Sequence, residues 1–148
     1  MHNATSTLEA EAALRAVERA WNAAAQPWDP AALAAIYTKD ALFYGGRIGH
    51  SVGQDQVRAY FESYSGLFTS VRLALVEQEL RELAPGTVLA QGTASFEFDF
   101  IAGGASQSVL RSTLVLTHRP EGWRILQHHF SPTPAEPPIN APPISTPA

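Results

Sequence analysis

The chain has 148 residues, 45% of them hydrophobic, and this length and composition predict a single domain with a core of its own. The formal net charge is −4 with only ten lysines and arginines, which argues against a nucleic-acid-binding protein, because such proteins present clustered basic side chains. The absence of cysteine excludes disulfides and thiolate chemistry, and without a signal-like N-terminus or an apolar run of ~18 residues we expect a cytoplasmic protein.

The first predicted element is a helix that begins near residue 6 and ends at Gln26-Pro27. Ser6 and Glu9 have the spacing of a capping box, in which each side chain binds a free backbone amide of the first turn. Apolar residues then recur every three or four positions, which gives the helix one apolar stripe that can lie on a sheet. This stripe consists of Leu14, Val17, Trp21 and Ala24.

A second, short helix is predicted after Asp29, because an N-cap aspartate followed by Pro30 at the first helical position is a typical helix start. A short strand over 41–44 follows. The next loop, over 45–53, contains four glycines, which indicate backbone conformations or close contacts that a side chain would prevent. The buried side of the second helix is predicted to consist of Leu33, Ile36 and Tyr37.

A third helix is predicted to start at a second capping box, formed by Ser51 and Gln54. From residue 70 the apolar period changes to two, which predicts strands over 71–83 and 87–100. In the second of these strands every other residue over 96–100 is a phenylalanine, so one face is aromatic. The inner stripe of the third helix is also largely aromatic and consists of Val57, Phe61, Tyr64 and Phe68.

Two further strands, over 108–117 and 123–130, are predicted to form a hairpin at the centre of the sheet. With a four-residue turn over 119–122, Leu116 pairs with Ile125 or Gln127, whereas a turn one residue shorter or longer would exchange the two faces. The face predicted to line a pocket contains Leu110, Ser112, Leu114, Leu116, Ile125, Gln127, His129 and Ser131. The opposite face contains Arg111, Thr113, Val115, Thr117, Arg124, Leu126, His128 and Phe130.

The outer face of this hairpin predicts a homodimer. Val115, Leu126 and Phe130 lie on the side that the helices leave free, and such a face is too apolar to stay in contact with water. After Ser131 the composition changes to proline and small residues, which cannot donate enough backbone hydrogen bonds to build structure. The domain is therefore expected to span 1–131, with a largely disordered tail over 132–148.

Three helices and short strands followed by four long antiparallel strands make an α+β protein. This order, with residues 40–43, the loop over 45–53 and the closing segment over 122–131, resembles the nuclear transport factor 2-like (NTF2-like) superfamily over residues 7–131, and within it the SnoaL-like and SgcJ/EcaC-type proteins. The resemblance implies a cone in which a curved antiparallel sheet, covered on one face by the three helices, encloses a pocket. It implies no single function, since the superfamily includes isomerases, cyclases, epoxide hydrolases, dehydratases and non-catalytic modules.

The ketosteroid isomerase of this superfamily can be compared with the chain residue by residue. That enzyme uses a carboxylate base with a tyrosine and a protonated aspartate as hydrogen-bond donors. The resemblance places Trp21, Gly45 and approximately Leu114 at these positions, and none of them can replace the original group. The lack of a carboxylate on the closing strands argues equally against a polyketide cyclase mechanism, so the sequence leaves open whether the chain is an enzyme.

Histidine is the remaining candidate for catalysis. His129 is predicted to face the pocket as a general base, and His50 is predicted to lie at the pocket mouth, whereas the alternative is a structural role for both. No spacing of ligands supports a metal site, and no phosphate, nicotinamide or flavin motif is present, so no cofactor is expected. The other predicted pocket residues are Trp21, Tyr37, Tyr44, Tyr60, Tyr64, Phe98, Ser112, Leu114 and Gln127.

Two functions are compatible with these residues. The first is a protein that binds a small apolar or cyclic molecule, as a cofactor-independent enzyme of isomerase, cyclase or hydrolase type with acid–base help from histidine. The second is a non-catalytic homodimeric module for ligand binding or association. An enzyme should place His129 within hydrogen-bond distance of a second titratable group that faces the pocket, whereas a binding module should not.

Overall fold

The computed structural model describes residues 4–140 and 144. Three helices and a six-stranded curved sheet make up the α+β fold that the sequence predicts. The strand order is β2-β1-β6-β5-β4-β3, in which only β1 and β6 run parallel. The elements are α1 (Ala4–Ala25), α2 (Pro30–Ala34), β1 (Tyr37–Tyr44), β2 (Ser51–Val52), α3 (Gln54–Glu62), β3 (Phe68–Ala84), β4 (Thr87–Phe100), β5 (Ala105–Arg119) and β6 (Gly122–Pro132).

Helix α1 covers the concave face of the sheet and also binds its open edge at β3. Its predicted apolar stripe is buried, as the helix periodicity requires. At the edge strand, Asn22 exchanges hydrogen bonds with both backbone groups of Leu73, at 2.7 and 2.8 Å. One step along, the Glu18 carboxylate accepts the Leu75 amide at 2.7 Å. These side chains occupy backbone groups that would otherwise be free to pair with another strand.

The helix start predicted at Asp29 has the expected cap. Asp29 precedes α2, and its carboxylate accepts the Ala32 amide at 3.1 Å. Helix α1 begins at Ala4, two residues before the predicted start at Ser6. Ser51 is not a cap: it belongs to β2, and Gly53 stands at the N-cap of α3 without a side-chain bond.

Tyr37 and Phe68 begin strands instead of completing the stripes of helices. Helix α2 ends at Ala34, and Tyr37 pairs with Ile125 in the parallel contact between β1 and β6. Phe68 pairs with Phe100 at the start of β3. Both residues continue the three-or-four spacing of the preceding helix in the sequence, so local periodicity alone assigns them to the wrong element.

The central hairpin has the predicted pairing of Leu116 with Ile125, but the faces of β6 differ from the prediction beyond that point. Val115 pairs with Gln127, so Leu126 is an extra residue in a β-bulge. The bulge reverses the alternation that follows it. His128 is therefore fully buried, and His129, predicted to face the pocket, lies exposed on the outer face.

Phe130 follows the same shift. It was predicted on the outer face and is instead 7% exposed within the core, next to His128. Beyond Pro132, residues 133–140 are exposed and have no regular secondary structure, and most of the remaining predicted tail lies outside the described residues. Within residues 4–140 and 144, no helix is long and apolar enough to cross a membrane.

Candidate functional site

An aromatic cavity of about 260 Å³ lies between the helices and the concave face of the sheet. Every layer of the fold contributes to its wall: α1, the connection to α2, α3, and strands β3 to β6. Apolar surface dominates the lining, with polar groups confined to a few positions. The lining residues are Trp21, Trp28, Gly46, Tyr60, Phe61, Tyr64, Phe68, Val71, Phe96, Phe98, Ser108, Leu110, Phe130, Ser131 and Pro132.

The rings of the wall hold one another in place mainly by edge-to-face contacts, the geometry that the charge distribution of an aromatic ring favours. Trp21 stands edge-on to Phe96 at 5.8 Å, and Trp28 stands edge-on to Phe61 at the same centroid distance. The Trp28 indole also donates a hydrogen bond to the Phe61 carbonyl at 3.2 Å. These contacts hold both tryptophans of the wall in place, which favours a preformed cavity.

Tyr60 supplies the polar end of the cavity. Its hydroxyl accepts the Gly46 amide at 2.9 Å and lies 3.5 Å from the Tyr64 hydroxyl. Burial raises the pKa of Tyr60, and the neighbouring Tyr64 hydroxyl adds to the effect, so the phenol remains protonated at neutral pH. Gly45 makes this position possible, because a Cβ atom at residue 45 would overlap the ring and the hydroxyl of Tyr60.

Behind the cavity wall, Tyr37 and His128 form a buried hydrogen-bonded pair. Tyr37 Oη and His128 Nδ1 are 2.8 Å apart, and the two rings are nearly parallel, at 21°. Burial lowers the pKa of His128 to about 3, with a smaller contribution from the charge of His129. Burial likewise raises the pKa of Tyr37, partly offset by the Trp21 indole. The pair is therefore uncharged at neutral pH.

Two buried ring nitrogens lack a hydrogen-bond partner among the described residues: Nε2 of His128 itself, and Nε1 of the neighbouring Trp21. The Trp21 indole affects the pKa of Tyr37 but does not reach hydrogen-bonding geometry with it. The rings of Phe130 and His128 have centroids 4.9 Å apart and an interplanar angle of 62°, a geometry in which a ring N–H can contact an aromatic face. Neither nitrogen is accessible to solvent, so neither one offers a bond to a molecule in the cavity.

Only part of the predicted pocket set lines the cavity. Trp21, Tyr60, Tyr64 and Phe98 do so. Tyr37, Ser112 and Leu114 are buried elsewhere in the domain, and Gln127 and Tyr44 do not contribute to the cavity wall. The bulge at Leu126 explains why Gln127 does not face the pocket: it pairs Gln127 with Val115, which lies on the outer face of the sheet.

Neither of the two histidines predicted as catalytic residues reaches the cavity. Tyr44 stacks on His50 at 4.3 Å and contacts His129 at 5.2 Å, so the three rings form an exposed aromatic stack outside the cavity. The prediction that His129 faces the pocket is thus corrected. Within the described part of the chain, no three histidine, aspartate or glutamate side chains converge as metal ligands would.

Several cavity residues were missed by the sequence reasoning although a signal for them exists. Phe96 shares the aromatic face of β4 with Phe98, and Phe61 lies on the predicted stripe of α3. Trp28 gave no signal, since it lies in the irregular connection before α2. The contact between Gly45 and Tyr60 also could not be read from the sequence, because it joins two segments of different elements.

Comparisons with known proteins agree on the fold and differ in activity. A family model described as SnoaL-like domain matches residues 14–136. An NTF2-like superfamily protein from Salmonella enterica has a TM-score of 0.70 at 21% identity, covering 93% of this chain and all of that one. A type 2 hexachlorocyclohexane dehydrochlorinase has a TM-score of 0.66 at 15% identity, covering 89% and 96% of the two chains.

A ketosteroid isomerase-like protein from Erwinia carotovora has a TM-score of 0.62 at 19% identity, covering 82% of this chain and 91% of that one. No curated protein matches the chain. At these identities the structural likeness establishes the architecture alone, since one fold of this kind supports several chemistries. The function has to be argued from the cavity.

Proposed function

The chain belongs to the SnoaL-like domain family, whose fold here encloses an aromatic cavity, and from this premise we propose that it binds a small, flat, mainly apolar molecule without transforming it. One observation carries the proposal: the titratable groups that line the cavity are two tyrosines, Tyr60 and Tyr64. Aromatic walls with a few hydroxyl donors recognise a flat ring system by contact area and orient it by hydrogen bonds.

The cavity volume limits the size of the ligand. A cavity of ~150 Å³ is enough to hold a benzene molecule. The 260 Å³ available here therefore suits about two fused rings with one small substituent. Phe68 and Phe98 stack at 5.0 Å with an angle of 25°, which gives the wall a flat side that favours a planar ligand.

Binding is favoured over catalysis because, among the described residues, no general base contacts the cavity. His129, the residue expected to act as one, is on the outer face. His128 is on the inner side but stays neutral behind Phe130, and its side chain shares a hydrogen bond with Tyr37. Acid–base catalysis requires a group of suitable pKa within hydrogen-bond reach of the substrate, and a protonated tyrosine of raised pKa provides no base at neutral pH.

A titration with a neutral bicyclic probe tests the proposal. We expect 2-naphthamide to bind with a Kd of about 100 μM, the affinity that a ligand of this size can gain in an apolar site. Replacing Leu110, a cavity residue, with tryptophan should fill the cavity and weaken binding at least about tenfold. Isothermal titration calorimetry measures both values.

Leu8→Trp on α1 is the matched control. Leu8 is 70% exposed and lies outside the cavity wall, so the same substitution there leaves the cavity open and binding unchanged. Equal binding to wild type and Leu110→Trp would place the probe outside the cavity and contradict the proposal. Failure of 2-naphthamide and of other flat bicyclic probes to bind at millimolar concentration would contradict it as well.

We further propose that the protein is a homodimer formed through the outer sheet face. Phe130 is buried in the core, but Val115 and Leu126, the other two residues predicted for this face, are partly exposed. Leu42 and Val109, on the same face, are 42% and 58% exposed. A second copy seated on these side chains would remove them from water, which is the usual reason for such a contact.

Light scattering tests the dimer. We expect about twice the chain mass of 16.0 kDa at micromolar concentration, and about the chain mass for Val115→Glu, because a buried unpaired carboxylate opposes association. The control is Leu8→Glu on α1, 70% exposed, which should remain dimeric. A wild-type mass of one chain would reject the dimer.

A further inference from the structure

The loop over 45–50 between β1 and β2 brings a positive charge to the polar end of the cavity. Arg47 follows Gly46, which lines the cavity, and its guanidinium carbon lies 4.3 Å from the centre of the Tyr64 ring, another part of the wall. The guanidinium also donates a hydrogen bond to the Ser63 carbonyl at 3.2 Å. Arg47 is therefore held at the rim by two contacts of moderate strength.

The charge of Arg47 is not neutralised by an ion pair among the described residues. Within residues 4–140 and 144, Arg47 forms no ion pair, whereas Arg15, Arg58 and Arg72 each bind a glutamate. Its field extends to Tyr60: burial raises the pKa of that phenol, and the charge of Arg47 acts in the opposite direction. The cavity rim thus carries a positively charged side chain in a protein whose formal net charge is −4.

The hydrogen-bonding groups at this rim are donors as well. The Tyr60 oxygen already accepts the Gly46 amide, so its own proton is directed elsewhere. The Tyr64 oxygen is 3.5 Å away, at the outer limit of a hydrogen bond, and does not fully use that proton. An acceptor that enters the cavity from this side therefore meets a hydroxyl proton and the free N–H groups of Arg47.

We propose that the ligand is an aromatic carboxylate whose ring system lies in the cavity and whose anionic group lies at the rim formed by Tyr60, Tyr64 and Arg47. The inference rests on the proposed function, since it specifies the ligand of the same cavity. The rings supply contact area, and the rim selects the charge. A carboxylate accepts charge-assisted bonds from a guanidinium and bonds from hydroxyls, and these bonds are stronger than those of a neutral amide.

Calorimetry with two ligands of the same shape distinguishes recognition of the carboxylate from binding of the ring system alone. We expect 2-naphthoate to bind about tenfold more tightly than 2-naphthamide. Arg47→Gln should remove this difference by weakening 2-naphthoate about tenfold while leaving 2-naphthamide unchanged. Arg47 is exposed, so the variant should fold normally, which circular dichroism checks. Arg111→Gln on β5, outside the cavity wall, is the matched control and should bind both ligands like wild type.

Each result has a distinct meaning. Equal affinity of wild type for the two ligands, or an Arg47→Gln variant that keeps the preference for 2-naphthoate, would overturn the aromatic carboxylate and leave the cavity proposal intact. If neither ligand binds wild type, both proposals fail together. A parallel loss of both ligands in Arg47→Gln would show that Arg47 shapes the loop instead of recognising charge, and would also overturn the inference.

Discussion

Acidification from pH 6.5 to pH 4 should lower the free energy of unfolding by about 3 kcal/mol more in the wild-type protein than in a His128→Gln variant. The folded-state pKa of His128 is about 3, whereas an unfolded chain titrates histidine near 6.5. Between these values the unfolded state binds a proton that the native state does not. As the pH is lowered from 6.5 toward 3, the free energy of unfolding therefore decreases by about 1.4 kcal/mol per pH unit.

Urea unfolding at half-unit steps of pH measures the difference, and other titrating groups cancel because both proteins share them. Glutamine at 128 keeps a group that can bond to Tyr37, so the variant is expected to fold. His50→Gln is the matched control: this side chain is exposed and is not among the groups that shift the pKa of His128, so its variant should retain the steep wild-type dependence. Superimposable curves for wild type and His128→Gln would mean that His128 is not buried in a neutral form.

Gly45→Ala is expected to destabilise the fold by about 2 kcal/mol and to abolish ligand binding in the cavity. The added methyl group would overlap the Tyr60 ring and hydroxyl, so the ring has to move into the cavity or the loop has to shift. Either adjustment has the usual cost of overpacking. Thermal or urea unfolding gives the stability, and titration with 2-naphthamide gives the affinity.

The adjacent glycine provides the control. At Gly46 the nearest side-chain atoms would be 3.8 Å from an added Cβ, an ordinary contact, so Gly46→Ala should change stability by less than about 0.5 kcal/mol. A double-mutant cycle identifies the cause: in a Tyr60→Leu background the cost of Gly45→Ala should largely disappear. An undiminished cost in that background would trace the effect to the backbone of residue 45.

The long strands could be predicted because their signal is local and repeated. Phe96, Phe98 and the residues between them fix the faces of β4, and the turn at 119–122 fixes the first pairs of the hairpin. Asp29 and Pro30 likewise define the start of α2 by chemistry that acts within one turn. Where a few neighbouring residues decide the structure, the sequence is sufficient.

The candidate site could be predicted only in part because its geometry depends on events between distant segments. The position of the bulge at Leu126 depends on how β6 pairs with β5 and β1, and a leucine at this position does not predict a bulge. The assignment of His129 to the pocket failed for this reason alone. Tyr37 was placed in a helix because its spacing fits one, although pairing with Ile125 decides the matter.

The bulge also bears on how length differences between relatives should be interpreted. Two residues, 126 and 127, separate the inward-facing Ile125 from the inward-facing His128, where a regular strand would have one. Strand β6 therefore contains one residue more than its pairing requires. A relative that lacks this residue can build a regular strand and still direct the equivalents of His128 and Phe130 inward. An alignment drawn without a gap here would match inward residues of one protein with outward residues of the other, and would compare a core histidine with a surface one.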